Sequence, residues 1–158
     1  MTLAQDLKTA MTVAMRRQDA FRRDTLRMLV AAAYNAEKAA RRPLSDDEVI
    51  GVLTREVRMR RESVEAYQQA GRTDLADRES AEIEIIGGFL PQALSEDEVR
   101  ELVVAAIDET GASSARDMGK VMALLAPRTR GRAEGRVVSG MVAAELARRD
   151  LAGHAHGA

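Results

Sequence analysis

Cysteine and tryptophan do not occur in this 158-residue chain, phenylalanine and tyrosine occur twice each, and both histidines lie in the last five residues. Each shortage excludes something. Without cysteine there is no disulfide framework, no thiolate metal site and no thiol nucleophile. Aromatics at 3% leave few platforms on which unpaired bases could stack, so any nucleic acid would be held by its backbone and shape. The core must be aliphatic: Leu, Val, Ile, Ala and eight Met. His154 and His156 sit in a Gly/Ala-rich tail, a composition that speaks for a disordered end over a metal site. No apolar run approaches the roughly 18 residues of a membrane span. The opening MTLAQDLKTAM carries an acid early and has no apolar h-region, so it does not read as a signal peptide. No membrane partner and a cytoplasmic location are the expectations.

Net charge is also nearly absent, at −1, but the charges are unevenly spread. From Lys8 to Arg61 there are thirteen basic and seven acidic residues, from Asp77 to Glu109 two and ten, and from Arg116 to Arg136 six and two. Two basic segments flank an acidic one. Such a pattern fits helix faces of alternating sign, and it also fits a face for a polyanion.

What the chain does have is helical periodicity, with no sustained strict alternation of apolar and polar residues. Thr2 can cap a first helix with Leu3, Leu7, Ala10, Met11 and Ala14 on one face, broken at Gln18-Asp19. A second runs from about Ala20 to Ala40, with Leu26, Leu29, Val30, Ala33 and Tyr34 as its stripe, and Pro43 closes it. Ser45-Asp46-Asp47-Glu48 is a capping box opening a third helix to about Ala70, stopped by Gly71. Asp74 can cap a fourth that runs toward Phe89.

Gly87–Leu94 reads as a hinge. Beyond it, Ser95-Glu96-Asp97-Glu98 is a second capping box, Gly111 a stop, Ser113 or Ser114 a cap, and Pro127 the end of a short helix. A last helix spans about Ala133 to Arg149. The expectation is an all-α chain of about seven helices: a four-helix domain over 1–90, a three-helix domain over 91–150 and a disordered tail over 151–158.

The catalytic inventory is thin. Six serines, at 63, 80, 95, 113, 114 and 139, have no local base, and the acid clusters at 46–48 and 96–98 read as helix starts. No glycine pattern follows a strand, so neither a dinucleotide fingerprint nor a phosphate-binding loop is supported. No catalytic residue, cofactor or metal is expected.

One stretch stands out: DMGKVMALLAPRTRGRAEGR, residues 117–136. Gly119 inside a helix costs about 1 kcal/mol relative to alanine, so a close approach by another helix or by a phosphate would explain it. Lys120 follows it. Arg128 and Arg130 are expected in a loop after Pro127, and Arg132 and Arg136 bracket the start of the last helix, where free amides and the dipole favour anions. Gly131 and Gly135 would let a backbone come close. Two readings stay open: a phosphate-binding surface, or a solvated turn with a tight helix crossing at Gly119.

DMGKVM followed by PRTRGRAEGR resembles the C-terminal signature of the GatB/YqeY family. RMLVAAAYNAEKA (27–39), LTREVRMRRESVEAY (53–67) and FLPQALSEDEV (89–99) resemble it in the same order. The likeness runs from about Thr2 to Arg149, the length of a free-standing YqeY-like protein; Glu134 stands where Asp is more usual. The resemblance implies two helical domains. It also implies a relation to the tail of the amidotransferase B subunit, which helps hold tRNA while a glutamine-derived amide is placed on misacylated Glu-tRNA(Gln) or Asp-tRNA(Asn). The family association is therefore with carbon–nitrogen ligase activity using glutamine as amido donor. That active site lies in a domain this chain is too short to contain, so independent catalysis is not expected.

The expected function is a tRNA-associated accessory module, with tRNA as partner, no DNA, and amidotransferase or aminoacyl-tRNA synthetase components as candidate protein partners. Lys120, Arg128, Arg130, Arg132 and Arg136 are the expected phosphate contacts, with Gly119, Gly131 and Gly135 beside them. The alternative is a helical adaptor whose basic surface meets an acidic protein.

Overall fold

The computed structural model describes residues 1–157. These form seven α-helices and one short 3-10 turn: α1 Leu3–Arg16, α2 Ala20–Ala40, α3 Asp46–Gln69, α4 Thr73–Gly87, α5 Glu96–Thr110, the turn Ala115–Asp117, α6 Met118–Thr129 and α7 Gly135–Ala155. No strand occurs among the described residues. The chain separates into two compact units, one ending at Pro91 and the other beginning at Gln92.

Helix starts are fixed by side chains. The Thr2 hydroxyl accepts from the Gln5 amide at 3.2 Å, and the Gln5 side chain accepts from the Thr2 amide at 2.9 Å. Ser45 and Glu48 make the same reciprocal pair, at 3.2 and 2.8 Å, as do Ser95 and Glu98, at 3.1 and 3.2 Å. Each box satisfies two amides that a helix start would otherwise leave open. Glu48 has a second partner: Arg42 donates to both its oxygens, at 2.9 and 2.7 Å. Arg42 first, then the Ser45 amide, hold the Glu48 carboxyl down at about 2.

In the first unit Leu7 and Ala14 of α1, Leu26 and Leu29 of α2, Val49, Leu53 and Val57 of α3 and Ile86 of α4 form one buried cluster. In the second, Val99, Val103, Ala106 and Ile107 of α5 meet Val121 and Leu125 of α6 and Val138, Val142 and Leu146 of α7. Each fully buried Leu, Ile or Val contributes roughly 1.5–3 kcal/mol.

The first unit also buries charge. Arg60, on the core side of α3, is 7% exposed, and Glu82 of α4 is 8% exposed. Arg60 Nε donates to Glu82 Oε2 at 2.9 Å, and Nη1 donates to Glu56 Oε2 at 2.7 Å and to the Glu56 carbonyl at 3.1 Å. Nη2 reaches the thioether of Met28 on α2 at 3.9 Å. Nearby, burial and then the Glu82 charge push the Glu79 carboxyl up from its ordinary range.

Several expectations change. Tyr34 is 57% exposed, not part of the core stripe. Asp74 does not cap α4; the helix begins at Thr73 with no side-chain cap, and Asp74 pairs with Arg72 at 3.1 Å. Pro127 does not end α6. Its ring gives up one bond, to the carbonyl of Ala123. The last turn still closes, through the Arg130 amide to the Ala126 carbonyl at 3.0 Å, because Leu125 and Thr129 on either side are buried. Finally, α7 continues to Ala155, so residues 151–155 are helical where a disordered tail was expected; residue 158 lies outside the described residues.

Replacing Arg60 with Met should cost the first unit about 3 kcal/mol, because Glu82 is left buried without its cation. Adding Glu82→Leu should recover most of that loss. Urea unfolding followed by circular dichroism reads both variants, and a neutral single variant would contradict the burial of the pair.

Candidate nucleic-acid interface

Val121, Leu125 and Thr129 face the core, which leaves Lys120 and Arg128 on the outer side of α6. Its start is organised by Asp117. Asp117 Oδ2 accepts from the amides of Ser113 and Ser114, at 2.9 and 3.4 Å. The Ser113 amide, opposed by burial and helped by the Ser114 amide and Lys120, holds the Asp117 carboxyl below its ordinary range. Lys120 Nζ lies 3.5 Å from Asp117 Oδ1.

At the other end the chain reverses. Gly131 takes φ +71°, a left-handed conformation that glycine enters without the usual penalty. That bend lets one carbonyl, of Thr129, accept from the amides of Arg132 and Ala133, at 2.9 and 3.0 Å. The chain entering from Gln92 is fastened to this bend. Leu94 donates its amide to the Arg132 carbonyl at 2.8 Å, and Arg132 Nε donates to the Gln92 carbonyl at 3.0 Å.

The expected cations are thus in different states. Lys120 has Asp117, and Arg128 Nη1 lies 3.3 Å from Glu109 of α5. Arg132 has one N–H committed to backbone. Arg130 and Arg136 are exposed and have no carboxylate partner among the described residues. Arg130, Gly131, Arg132, Gly135 and Arg136 gather at the α6–α7 turn, with Arg128 just before it. Gly119 and Lys120 sit at the far end of α6, about 15 Å away along the axis. One phosphate cannot be held by both ends; successive phosphates of one strand could reach each.

The helix crossing considered for Gly119 does not exist. A Cβ there, or at Gly135, would meet nothing within 4 Å. Both glycines border open space. α7 begins after Glu134 with no side-chain cap bond, unlike the boxed starts of α1, α3 and α5. A cavity of about 10 Å³ is lined by Lys8, Tyr34 and Glu37 among others, room for little more than a water. An open depression lies on the outer face of α5, between Asp97, Glu101 and Asp108. Among the described residues no three His, Cys, Asp or Glu gather as metal ligands, and no helix is long and apolar enough to cross a membrane.

A family model for Yqey-like protein matches residues 4–146. The chain belongs to the Yqey-like family. Among proteins similar to this Yqey-like chain is the mitochondrial protein "Altered inheritance of mitochondria protein 41" of Pyrenophora tritici-repentis, 30% identical over 80% of this chain and 70% of its own length. Proteins of the same name from Eremothecium gossypii and Lachancea thermotolerans are each 33% identical, over 60% and 57% of this chain. The chain spans 52% and 46% of those two relatives, about half their length.

These names correct the cytoplasmic expectation, since all three are those of mitochondrial proteins. The inference had rested on a missing secretory signal and a missing apolar span. Neither absence chooses a compartment.

Sequence reasoning passed over three features of this Yqey-like chain. Arg116, in the 3-10 turn, is a further exposed cation. Arg149 of α7 joins Asp108 of α5 at 2.6 Å and Glu145 at 2.9 Å. Glu145 also takes Arg148 at 2.7 Å, and these two arginines, Arg148 the stronger, hold its carboxyl at about 2 against burial. The spacing of Glu145 to Arg148 and Arg149 was a legible signal; the reach to Asp108 was not.

A carboxyl lowered on folding contributes stability that is present above its ordinary range and lost as pH falls. For Glu145 the loss should run from about pH 4.5 down to about 2. Protection of the α7 amides, each rate taken against the intrinsic exchange rate at the same pH, should fall over that window, and Glu145→Gln should flatten the change. Equal pH dependence in both proteins would reject the assignment.

Proposed function

We propose that this Yqey-like protein is an accessory factor that holds tRNA by its phosphates at the α6–α7 turn and performs no chemistry on it. The observation that carries the reading is the pair Arg130 and Arg136, exposed and without a carboxylate partner among the described residues, on either side of the left-handed bend at Gly131. They stand where α7 begins without a side-chain cap, and a helix start favours anions through its open amides and dipole. Arg132 holds the bend against residues 92–94, so the two free guanidinium groups project from a fixed frame. Arg128 and Lys120 extend the basic surface along α6, each able to trade a surface carboxylate for a phosphate at little cost. The near-absence of aromatic rings supports recognition by backbone and shape over base stacking. The likeness of residues 117–136 to the amidotransferase tail supports tRNA among the possible polyanions, and association with an amidotransferase is part of the same proposal.

Binding of the purified protein to total tRNA should weaken steeply with salt and exceed its binding to heparin. Replacing Arg130 and Arg136 together with Gln should weaken it and lower the salt slope by roughly two, about one for each lost phosphate contact. An unchanged affinity and slope would reject the site. Capture of a protein partner that survives nuclease treatment, with no tRNA binding, would move the reading to an adaptor for an acidic protein.

A further inference from the structure

We propose that the outward face of α7 pairs with the same face of a second copy of this chain, the two helices running antiparallel. The core side of α7 is Val138, Val142 and Leu146. Directly opposite, on the solvent side, lie Val137, Gly140, Ala144, Ala147 and Leu151, all exposed. Their spacings of 3, 4, 3 and 4 residues are those of a two-helix seam. Val137 is 44% exposed and Leu151 74% exposed. In a chain that is 31% charged, a solvent-facing line of about 21 Å without one charge is unexpected for a face that meets only water.

The flanking charges name the occupant. In an antiparallel seam, Val137 layers on Ala147 of the second copy and Gly140 on Ala144. That register places Arg136 beside Asp150 of the second copy, and symmetry repeats the pair. Sliding by one heptad removes Asp150 from Arg136. Parallel pairing sets Arg136 beside Met141 and Asp150 beside Ala155, with no opposite charge. Among pairings of α7 with itself, this antiparallel register satisfies both ends. Within its own chain Arg136 has no carboxylate partner among the described residues, and Asp150 has only His154, at 3.3 Å. The small side chains at the centre allow close approach: a Cβ on Gly140 would meet nothing within 4 Å. About four helical turns bury less than a standard interface of roughly 1,600 Å², so the dimer should be weak, with Kd on the order of 100 µM.

Sedimentation equilibrium without RNA, from about 10 µM to about 1 mM, separates this proposal from the RNA reading. A monomer–dimer equilibrium is expected. Ala144→Glu, a change on an exposed helical position, should abolish it with the helix content unchanged. Arg136→Glu should weaken it, and adding Asp150→Arg should restore it. Because the native chain has no cysteine, Val137→Cys and Ala147→Cys proteins can be mixed and oxidised. Antiparallel pairing gives predominantly the mixed disulfide, and parallel pairing gives the two homodimers. A monomer at about 1 mM, a dimer indifferent to Ala144→Glu, or homodimeric crosslinks would each overturn the proposal.

Discussion

Helices in this protein pack through Leu, Val, Ile, Ala and Met with almost no aromatic surface, and that constraint governs the rest of the structure. Aliphatic side chains bury less area apiece than rings do, so each unit needs many small contributions that all face inward. Helices must therefore start and stop at defined residues. A start displaced by one residue rotates the apolar line by about 100°. The reciprocal boxes at Thr2, Ser45 and Ser95 and the left-handed bends at Gly111 and Gly131 are the devices that hold this phase. The burial of Arg60 against Glu56 and Glu82 belongs to the same account. Between α3 and α4 a branched arginine, with its N–H groups satisfied, fills space that an aromatic side chain would fill elsewhere.

Charge then divides into groups that hold the fold and groups left over. Arg42, Arg60, Arg132, Arg148 and Arg149 each have intramolecular work, capping, bridging or fastening a chain segment. Among the described residues the Arg130 and Arg136 side chains have none. The distinction matters more than the density of basic residues. A guanidinium already bound to a backbone carbonyl gives up that bond to reach a ligand, whereas an exposed, unpartnered one gives up only water. The proposed interface is therefore narrower than its basic segment, and its rigidity comes from Arg132, the arginine least free to leave.

Much of this was legible residue by residue. Helix starts at Thr2, Ser45 and Ser95 follow from local hydrogen-bond chemistry, as do the stops at Gly71 and Gly111. The inward positions Leu7, Leu26, Leu53, Val103, Leu125 and Leu146 follow from the 3.6-residue period. The failures have a common cause. Tyr34 fits an apolar stripe by spacing, but it stays 57% exposed, with the Lys38 ammonium over its ring at 5.8 Å. Pro127 carries a local penalty that burial on both sides outweighs. Gly119 suggested a close helix or a phosphate, and no helix crosses there. In the candidate interface, the grouping of Arg130, Gly131, Arg132 and Arg136 could be read because it is local in sequence; the bonds of Arg132 to residues 92–94 and of Arg128 to Glu109 could not.

The helices, their caps, the aliphatic character of both cores and the family to which the chain belongs are all legible in the order of residues. These depend on interactions within about four residues or on composition. Tertiary structure alone decided which cations are spent and which remain available, that Arg60 is a core residue, and that the far side of α7 is left bare. Those outcomes depend on partners 19 to 41 residues away in the chain, and no local period encodes which distant carboxylate or carbonyl a side chain will meet.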